Sequence, residues 1–318
     1  MIYIEPHAGP APIEQVIADA RHSVDLSVYY LSSRPILQAL AAAHARGVDV
    51  RVLLDGKPYG MRPGLVQKEW RAVRATGASV QRAPARFEAR PGRYAFLHNK
   101  YVCNGHRCAI GTANYDYSAF HYNREYIDVT RNPAVVQAAR TVFQADWTNR
   151  PAGTLPHRIL VLSPGSETRI AAIIDQPGPV SLESEEMGND PQILQAIAAK
   201  GRLARIILPA GISPTDQRNV RWLRARGVQI RLLPKRPIYL HAKIIVGPNI
   251  SFIGSENYSR SSLDLNREMG MRLRNPAERR ILQAQFDRDW AAAARSTSAE
   301  YRRRDDRYEP HWHRTYGR

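Results

Sequence analysis

Two stretches of this chain follow one pattern. LHNKYVCNGHRCAIGTAN spans 97–114 and LHAKIIVGPNISFIGSEN spans 240–257; each holds His-x-Lys, a short apolar run, a turn and Gly-x-x-Asn. The offset is 143 positions, and it persists downstream: "NRE" at 123–125 falls on 266–268, and "RNP" at 131–133 on 274–276. Phe143, Asp146 and Trp147 fall in the same way on Phe286, Asp289 and Trp290. A register held for about fifty residues without a gap marks a duplicated unit, so the chain has to fold as two similar halves.

Upstream the halves still correspond, with small shifts in loop length. RAVRATGASV (71–80) resembles RWLRARGVQI (221–230), each a helix ending at a Gly C-cap before a strand. PILQALAA (35–42) and PQILQAIAA (191–199) have helical apolar periodicity, and VDVRVLLD (48–55) and LARIILPA (203–210) read as buried strands. Alternation of strand and helix predicts an α/β fold: two repeats packed as a pseudo-two-fold dimer within one chain, with mostly parallel sheets flanked by helices. The expected boundaries are 1–150 for the first repeat, 151–295 for the second and 296–318 for a basic, aromatic tail. NRPAGTLPH (149–157) forms the link.

Net charge is +17, with 46 basic and 29 acidic side chains among 318 residues. Each half carries +7 and the segment 301–318 carries +3, so the surplus is shared by the duplicated units. Such a surplus favours a polyanion, either nucleic acid or an anionic membrane surface, with GC-rich coding as the bland alternative. No apolar run is long enough to span a bilayer. The N-terminal MIYIEPHAGPAP lacks a basic and an apolar leader region. The expectation is a cytoplasmic protein, or a secreted or periplasmic one numbered after signal removal. Cys103 and Cys108 flank the turn signal NGHR. They are read as small buried hydrophobes, with a disulfide across the hairpin as the alternative.

A single His-x-Lys proves little, since the Lys can be a solvated edge residue and the His a hydrogen-bonded core residue. The duplicated set says more. Packed face to face, the halves would gather His98, His241, Lys100, Lys243, Asn114, Asn257, Glu125 and Glu268 around one cleft. Lys and Asn are donors suited to nonbridging phosphate oxygens and to the charge that develops in a transition state. One imidazole can attack phosphorus while the other protonates the departing oxygen and later activates water. Glu125 and Glu268, at identical distances past the histidines, would each fix an imidazole tautomer. SLESEEM (181–187) sets Glu183 and Glu185 on one face of a predicted strand, where they would serve the cleft or act as ion-paired structural acids.

On these residues the chain resembles the phospholipase D superfamily, whose signature is a pair of His-x-Lys-x4-Asp motifs followed by Gly-Ser-x-Asn. The resemblance runs from about residue 2 to 290. It implies a metal-independent phosphodiesterase acting through a covalent phosphohistidine, without cofactor. His98 and His241 become the nucleophile and acid, with His98 favoured as nucleophile. Lys100 and Lys243 become phosphate clamps, Asn114 and Asn257 their helpers, and Glu125 and Glu268 the supports of the histidines. The chain departs from the signature where each Asp should stand: Asn104–Gly105 in the first copy and Gly247–Pro248 in the second. Thr112 replaces a Ser, and Glu256, inside the second Gly-Ser-x-Asn, is expected to point to solvent.

The expected partner is a phosphodiester substrate, with peripheral membrane contact open, and the two-fold is intramolecular in a monomer. Equally basic halves and short loops lean towards nucleic acid as substrate. A phospholipase D or phosphatidyltransferase of cardiolipin type is the alternative.

Overall fold

The structure is a computed structural model and describes residues 1–293; the tail expected over 296–318 lies outside the described residues. In the first half the strands are β1 (Ile2–Ile4), β2 (Ser23–Val28), β3 (Asp49–Leu54), β4 (Ser79–Arg82), β5 (Lys100–Cys103), β6 (Cys108–Gly111), β7 (Asn123–Arg124) and β8 (Tyr126–Thr130). In the second they are β9 (Val161–Ser163), β10 (Val180–Ser184), β11 (Ala204–Pro209), β12 (Gln229–Leu233), β13 (Tyr239–Leu240), β14 (Lys243–Val246), β15 (Ser251–Gly254) and β16 (Glu268–Leu273). The first sheet runs β1-β8-β6-β5-β2-β3-β4 and the second β9-β16-β15-β14-β10-β11-β12, the same order element for element.

Each sheet is parallel where helices cross over it and antiparallel where hairpins connect it. β2, β3 and β4 pair in parallel, as do β10, β11 and β12. The expectation of parallel strands holds for this part. β5 and β6, like β14 and β15, are joined by turns too short for a crossover, so they pair antiparallel, as do the strands beyond them. The crossover helices fall where the periodicity puts them, at Arg34–Ala45 and Pro191–Lys200. Helices Pro63–Arg74 and Pro214–Arg224 are each followed by a glycine at positive φ, Gly77 (+86°) and Gly227 (+88°), which turns the chain into β4 and β12.

The repeated Arg-Asn-Pro starts the last helix of each half, Pro133–Trp147 and Pro276–Ala292. Pro stands in the first turn, and the Asn side chain accepts the N–H of Ala134 or Ala277 at 3.0 and 2.9 Å. These helices pack with the inner sheet faces into one shared core. Alternation along the strands sorts the side chains: Tyr101 and Cys103 of β5 and Ile244 and Val246 of β14 point into it. Val102 and Ile245 point the opposite way, into two separate outer cores, one per half. The two repeats therefore share their largest apolar face, and the motif strands lie at the centre of it.

Asn104 and Gln176 hold the two turns in which the signature's Asp is missing. Asn104 Oδ1 accepts the N–H groups of His106 and Arg107, both at 3.0 Å, and its amide donates to Val16 O at 2.8 Å. In the second half Gln176 accepts from Asn249 and Ile250 N–H and donates to Ile250 O, clamping the Gly247–Pro248 turn from outside it. Cys103 and Cys108 stand opposite one another in the β5–β6 pair and form a disulfide, with Cα atoms 4.1 Å apart, so they are not free thiols.

Candidate active site

The site is built by two short backbone crossings between the halves. β7 pairs in parallel with β13, setting Asn123 opposite Tyr239 and Arg124 opposite Leu240. The reciprocal contact is a bridge between Leu97 and Arg267, with His98 N donating to Arg267 O at 2.9 Å and Arg267 N to Phe96 O at 2.8 Å. Each Asn-Arg-Glu thus runs beside the His-x-Lys of the opposite half.

The three residues of that tripeptide divide the work. Arg124 makes a two-pronged ion pair with Asp289 at 2.7 and 3.1 Å, and Arg267 makes one with Asp146 at 2.9 and 3.0 Å; all four side chains are buried. The Asn of each tripeptide holds the Glu of its own half: Asn123 donates to Glu125 at 3.1 Å and Asn266 to Glu268 at 2.9 Å. Thr112 adds a hydrogen bond to Glu125 at 2.5 Å, and Ser262 one to Glu268 at 2.7 Å. Each Glu then faces the other half's histidine. Glu268 Oε2 is 2.9 Å from His98 Nδ1, and Glu125 Oε1 is 2.6 Å from His241 Nδ1, the latter an ion-pair contact off the line of a good hydrogen bond. A carboxylate on Nδ1 leaves Nε2 of each ring turned to the cleft.

Lys100 and Lys243 are both buried, and each Nζ donates to the carbonyl oxygen of its own motif histidine. Burial pulls the Lys100 ammonium down to about 7, with Glu268 resisting and Lys243 adding to the fall. Burial likewise pulls the His98 imidazole down to about 4, partly offset by Glu268. For Glu268 itself burial acts upwards, but the interactions with His98 outweigh it and keep the carboxyl below its usual range. At neutral pH this pair is a neutral imidazole donating Nδ1–H to a carboxylate. Asn114 and Asn257 sit half-buried on the turns after β6 and β15, and their Oδ1 atoms have no hydrogen-bond partner. Six of the eight residues singled out in the sequence thus form two crossed triads, His98–Lys100–Glu268 and His241–Lys243–Glu125, near enough for Lys100 to feel Lys243 and Glu125, and the amide oxygens of the two asparagines bond to neither.

The acids of SLESEEM separate. Glu183 is buried away from the cleft, accepts from Tyr126 Oη at 2.8 Å, and is raised to about 8 by burial and by Asp289. Glu185 enters the cleft: its Oε2 is 2.9 Å from Lys243 Nζ and 3.3 Å from His241 Nε2. Tyr239 Oη donates to its other oxygen at 3.3 Å. Val28 pairs with Lys100 and Ser184 with Lys243, so the residue equivalent to Glu185 in the first half is Tyr29. Tyr29 meets His98 edge to face, with ring centroids 4.8 Å apart, and its ring centre lies 5.3 Å from Lys100 Nζ. Nothing in the sequence singled out Tyr29, because the register upstream of the motif shifts between the halves.

Glu256 does not point to solvent. It is fully buried, neither carboxyl oxygen has a hydrogen-bond partner, and burial together with Glu268 holds it neutral. Gly254 and Gly270 leave room for it: a Cβ at Gly254 would stand 2.2 Å from Glu256 Oε2. Among the described residues no cluster of three or more His, Cys, Asp or Glu is placed to hold a metal ion.

The family model described as "Cardiolipin synthase, PLD-like domain" matches residues 13–147 and 184–290, one segment in each half. The mitochondrial cardiolipin hydrolase of Xenopus laevis is 30% identical over 129 residues, covering 40% of this chain and 56% of that protein. Cardiolipin synthase A of Pseudomonas entomophila (strain L48) is 31% identical over 152 residues, 44% of this chain and 30% of that protein. The chain therefore spans little more than half of the first relative and under a third of the second. Among solved structures, phosphatidylserine synthase of Haemophilus influenzae Rd KW20 superposes with a TM-score of 0.67 at 12% identity, covering 94% of this chain and 88% of that one. Polyphosphate kinase of Porphyromonas gingivalis gives 0.67 at 15% identity over 90% of this chain and 49% of its own. At such identities these structures speak for the fold alone. With both motif segments matched by the family model, this chain belongs to the phospholipase D-like family.

Proposed function

We propose that this protein is a two-histidine phosphodiesterase that cleaves or transfers the phosphodiester of an anionic phospholipid. The observation that carries the reading is the reciprocal cluster, in which each histidine is backed by the other half's glutamate beside two buried lysines. A phosphodiester seated between the halves places its nonbridging oxygens on Lys100 and Lys243, with the amides of Asn114 and Asn257 at the border. One Nε2 attacks phosphorus while the other histidine protonates the departing oxygen. That second histidine, now neutral, then takes a proton from water or an alcohol, whose oxygen attacks phosphorus and frees the first. Lys243 and Lys100, the latter drawn back to its charged form by the bound anion, neutralise the phosphate, so the chemistry calls for no divalent ion.

The lean towards nucleic acid rested on charge and short loops. The curated relatives are named for cardiolipin enzymes, and a charge of +17 suits an anionic lipid surface equally well, which moves the preference to phospholipid. Nucleic acid stays as the second reading because both halves are equally basic. No helix among the described residues is long and apolar enough to cross a membrane. The test is an assay in excess EDTA on phosphatidylglycerol–cardiolipin vesicles and on single- and double-stranded DNA and RNA. The expected result is EDTA-resistant activity on vesicles. Activity confined to nucleic acid, with affinity falling log-linearly in salt, would favour the second reading. Loss in EDTA with return on adding Mg²⁺ would overturn the two-lysine mechanism.

A further inference from the structure

The cluster is symmetric in its motif residues, yet its chemistry needs two different roles. The same half-turn that relates the halves lets a bound diester present its leaving oxygen to either histidine. What selects one orientation has to lie outside the repeated residues, and Tyr29 and Glu185 are the equivalent pair that differs beside the two rings.

A nucleophilic imidazole needs an unprotonated Nε2. At His241 that nitrogen faces the Glu185 carboxylate at 3.3 Å, while Nδ1 faces Glu125 at 2.6 Å. A lone pair pointing at a carboxylate oxygen is repelled and a ring proton there is attracted; neither contact lies in hydrogen-bond line, so the two carboxylates act on the ring by charge and together favour a proton on both nitrogens. Glu185 is ionised: burial acts upwards, but His241 and Lys243 outweigh it and hold it at about 2. At His98 only Nδ1 has a carboxylate, and the neighbour beside the ring is the edge-to-face Tyr29. Its Nε2 keeps a lone pair.

We propose that Glu185 is a catalytic residue that breaks the two-fold of the site by keeping the proton on Nε2 of His241, so that the covalent intermediate forms on His98. This rests on the two-histidine reading above. In the first step His98 Nε2 forms the N–P bond, the P–O bond to the leaving group breaks, and the departing oxygen takes the His241 Nε2 proton. His241 is then left with a lone pair against Glu185, which makes it a stronger base for the second step. There it takes a proton from water or an alcohol, the new P–O bond forms, and the N–P electron pair returns to His98.

The test uses bis(p-nitrophenyl) phosphate, a symmetric diester, so any bias between the histidines comes from the protein. After a denaturing quench at alkaline pH, peptide mass spectrometry locates the phosphoryl adduct, since His98 and His241 fall in different tryptic peptides. The wild-type protein should carry it on His98 alone. Glu185→Tyr, which copies the first half, should divide it between the two histidines. The double variant Glu185→Tyr/His98→Ala should carry it on His241, where His98→Ala alone carries none. Glu185→Gln keeps the side-chain size and should also open His241, so the outcome does not depend on the tyrosine being accommodated. An adduct on His241 in the wild type, or one that stays on His98 alone in both Glu185 variants, would overturn the role given to Glu185. Turnover with no adduct on either histidine in any protein would instead overturn the two-histidine reading itself, and this inference with it.

Discussion

Across the interface the halves treat each other alike. Glu268 backs His98 and Glu125 backs His241; Arg124 grips Asp289 and Arg267 grips Asp146. Within each half the neighbours of the motif diverge. Tyr29 lies beside His98 and Glu185 beside His241, and Ala113 in the first half is matched by the buried Glu256 in the second. The contacts that cross the interface are the repeated ones, because each half needs the same thing from the other. The contacts that differ lie around the two histidines, where the roles proposed for them would separate within a fold that is otherwise doubled.

The crossed pairing is the first thing to break. Replacing Glu268 with Gln removes the carboxylate from Nδ1 of His98, and replacing Glu125 with Gln does the same for His241. Each should lower kcat/KM by about 10³-fold or more, as when the carboxylate that orients a catalytic imidazole is lost. Nitrogen NMR of the imidazoles tests the crossing itself. Glu268→Gln should move the His98 resonances and leave those of His241 in place, and Glu125→Gln should do the opposite. If each substitution perturbed the histidine of its own half, the architecture described here would be wrong.

The paired arginines come next, and they sharpen the comparison because the two ion pairs are equal in geometry but not in back-up. Removing one partner of a buried pair costs about 3–5 kcal/mol, since the other charge stays buried and unpaired. After Arg267→Ala, Asp146 keeps Arg86 at 2.9 Å. After Arg124→Ala, Asp289 keeps the neutral amide of Gln285, also at 2.9 Å, and the Glu183 carboxyl, but no second ion pair among the described residues. Arg124→Ala should therefore be the more destabilising of the two in urea unfolding. Equal midpoints, or the reverse order, would show that Arg86 does not shield Asp146.

Much of this was legible in the sequence, for a physical reason. A fixed offset of 143 ties each residue's environment to a second example, so His98, Lys100, Glu125 and their counterparts stood out as a set. The strand–helix alternation was legible because apolar periodicity and Gly caps are local signals. The crossing was not, because an equal offset leaves same-half and opposite-half pairings indistinguishable until the backbone of β7 is seen beside β13. The Cys103–Cys108 bond needed the cross-strand register, which hairpin signals alone leave open. Glu185 was noticed only as one of two acids on a strand. The strand ends at Ser184, and that end turns Glu185 into the cleft while Glu183 stays in the core. Glu256 was misplaced because a charged residue in a turn motif is ordinarily solvated, and the room left beside it by Gly254 and Gly270 is a tertiary fact.

Glu256 also supplies the smallest effect, and it separates fold from function in the divergent set. Its carboxyl is neutral in the folded protein, while in the unfolded chain it ionises near its ordinary value of 4.5. A carboxyl with a raised folded pKa carries no penalty below the unfolded value. Above it the unfolded state alone loses the proton, so stability falls as pH rises towards the folded pKa. Glu256→Ala, which copies Ala113, removes that fall but leaves a small void. At pH 5 the void should dominate, making the variant equal to the wild type or slightly less stable. By pH 8 the variant should be the more stable of the two, because the pH-dependent fall it removes has then outgrown the packing lost. Other buried carboxyls with raised values, such as Glu183, are present in both proteins and cancel in the difference. Urea midpoints at the two pH values read the change of sign. A difference that does not grow with pH would mean that Glu256 is ionised in the folded protein, and it would then join Glu185 among the charges that set the second half apart.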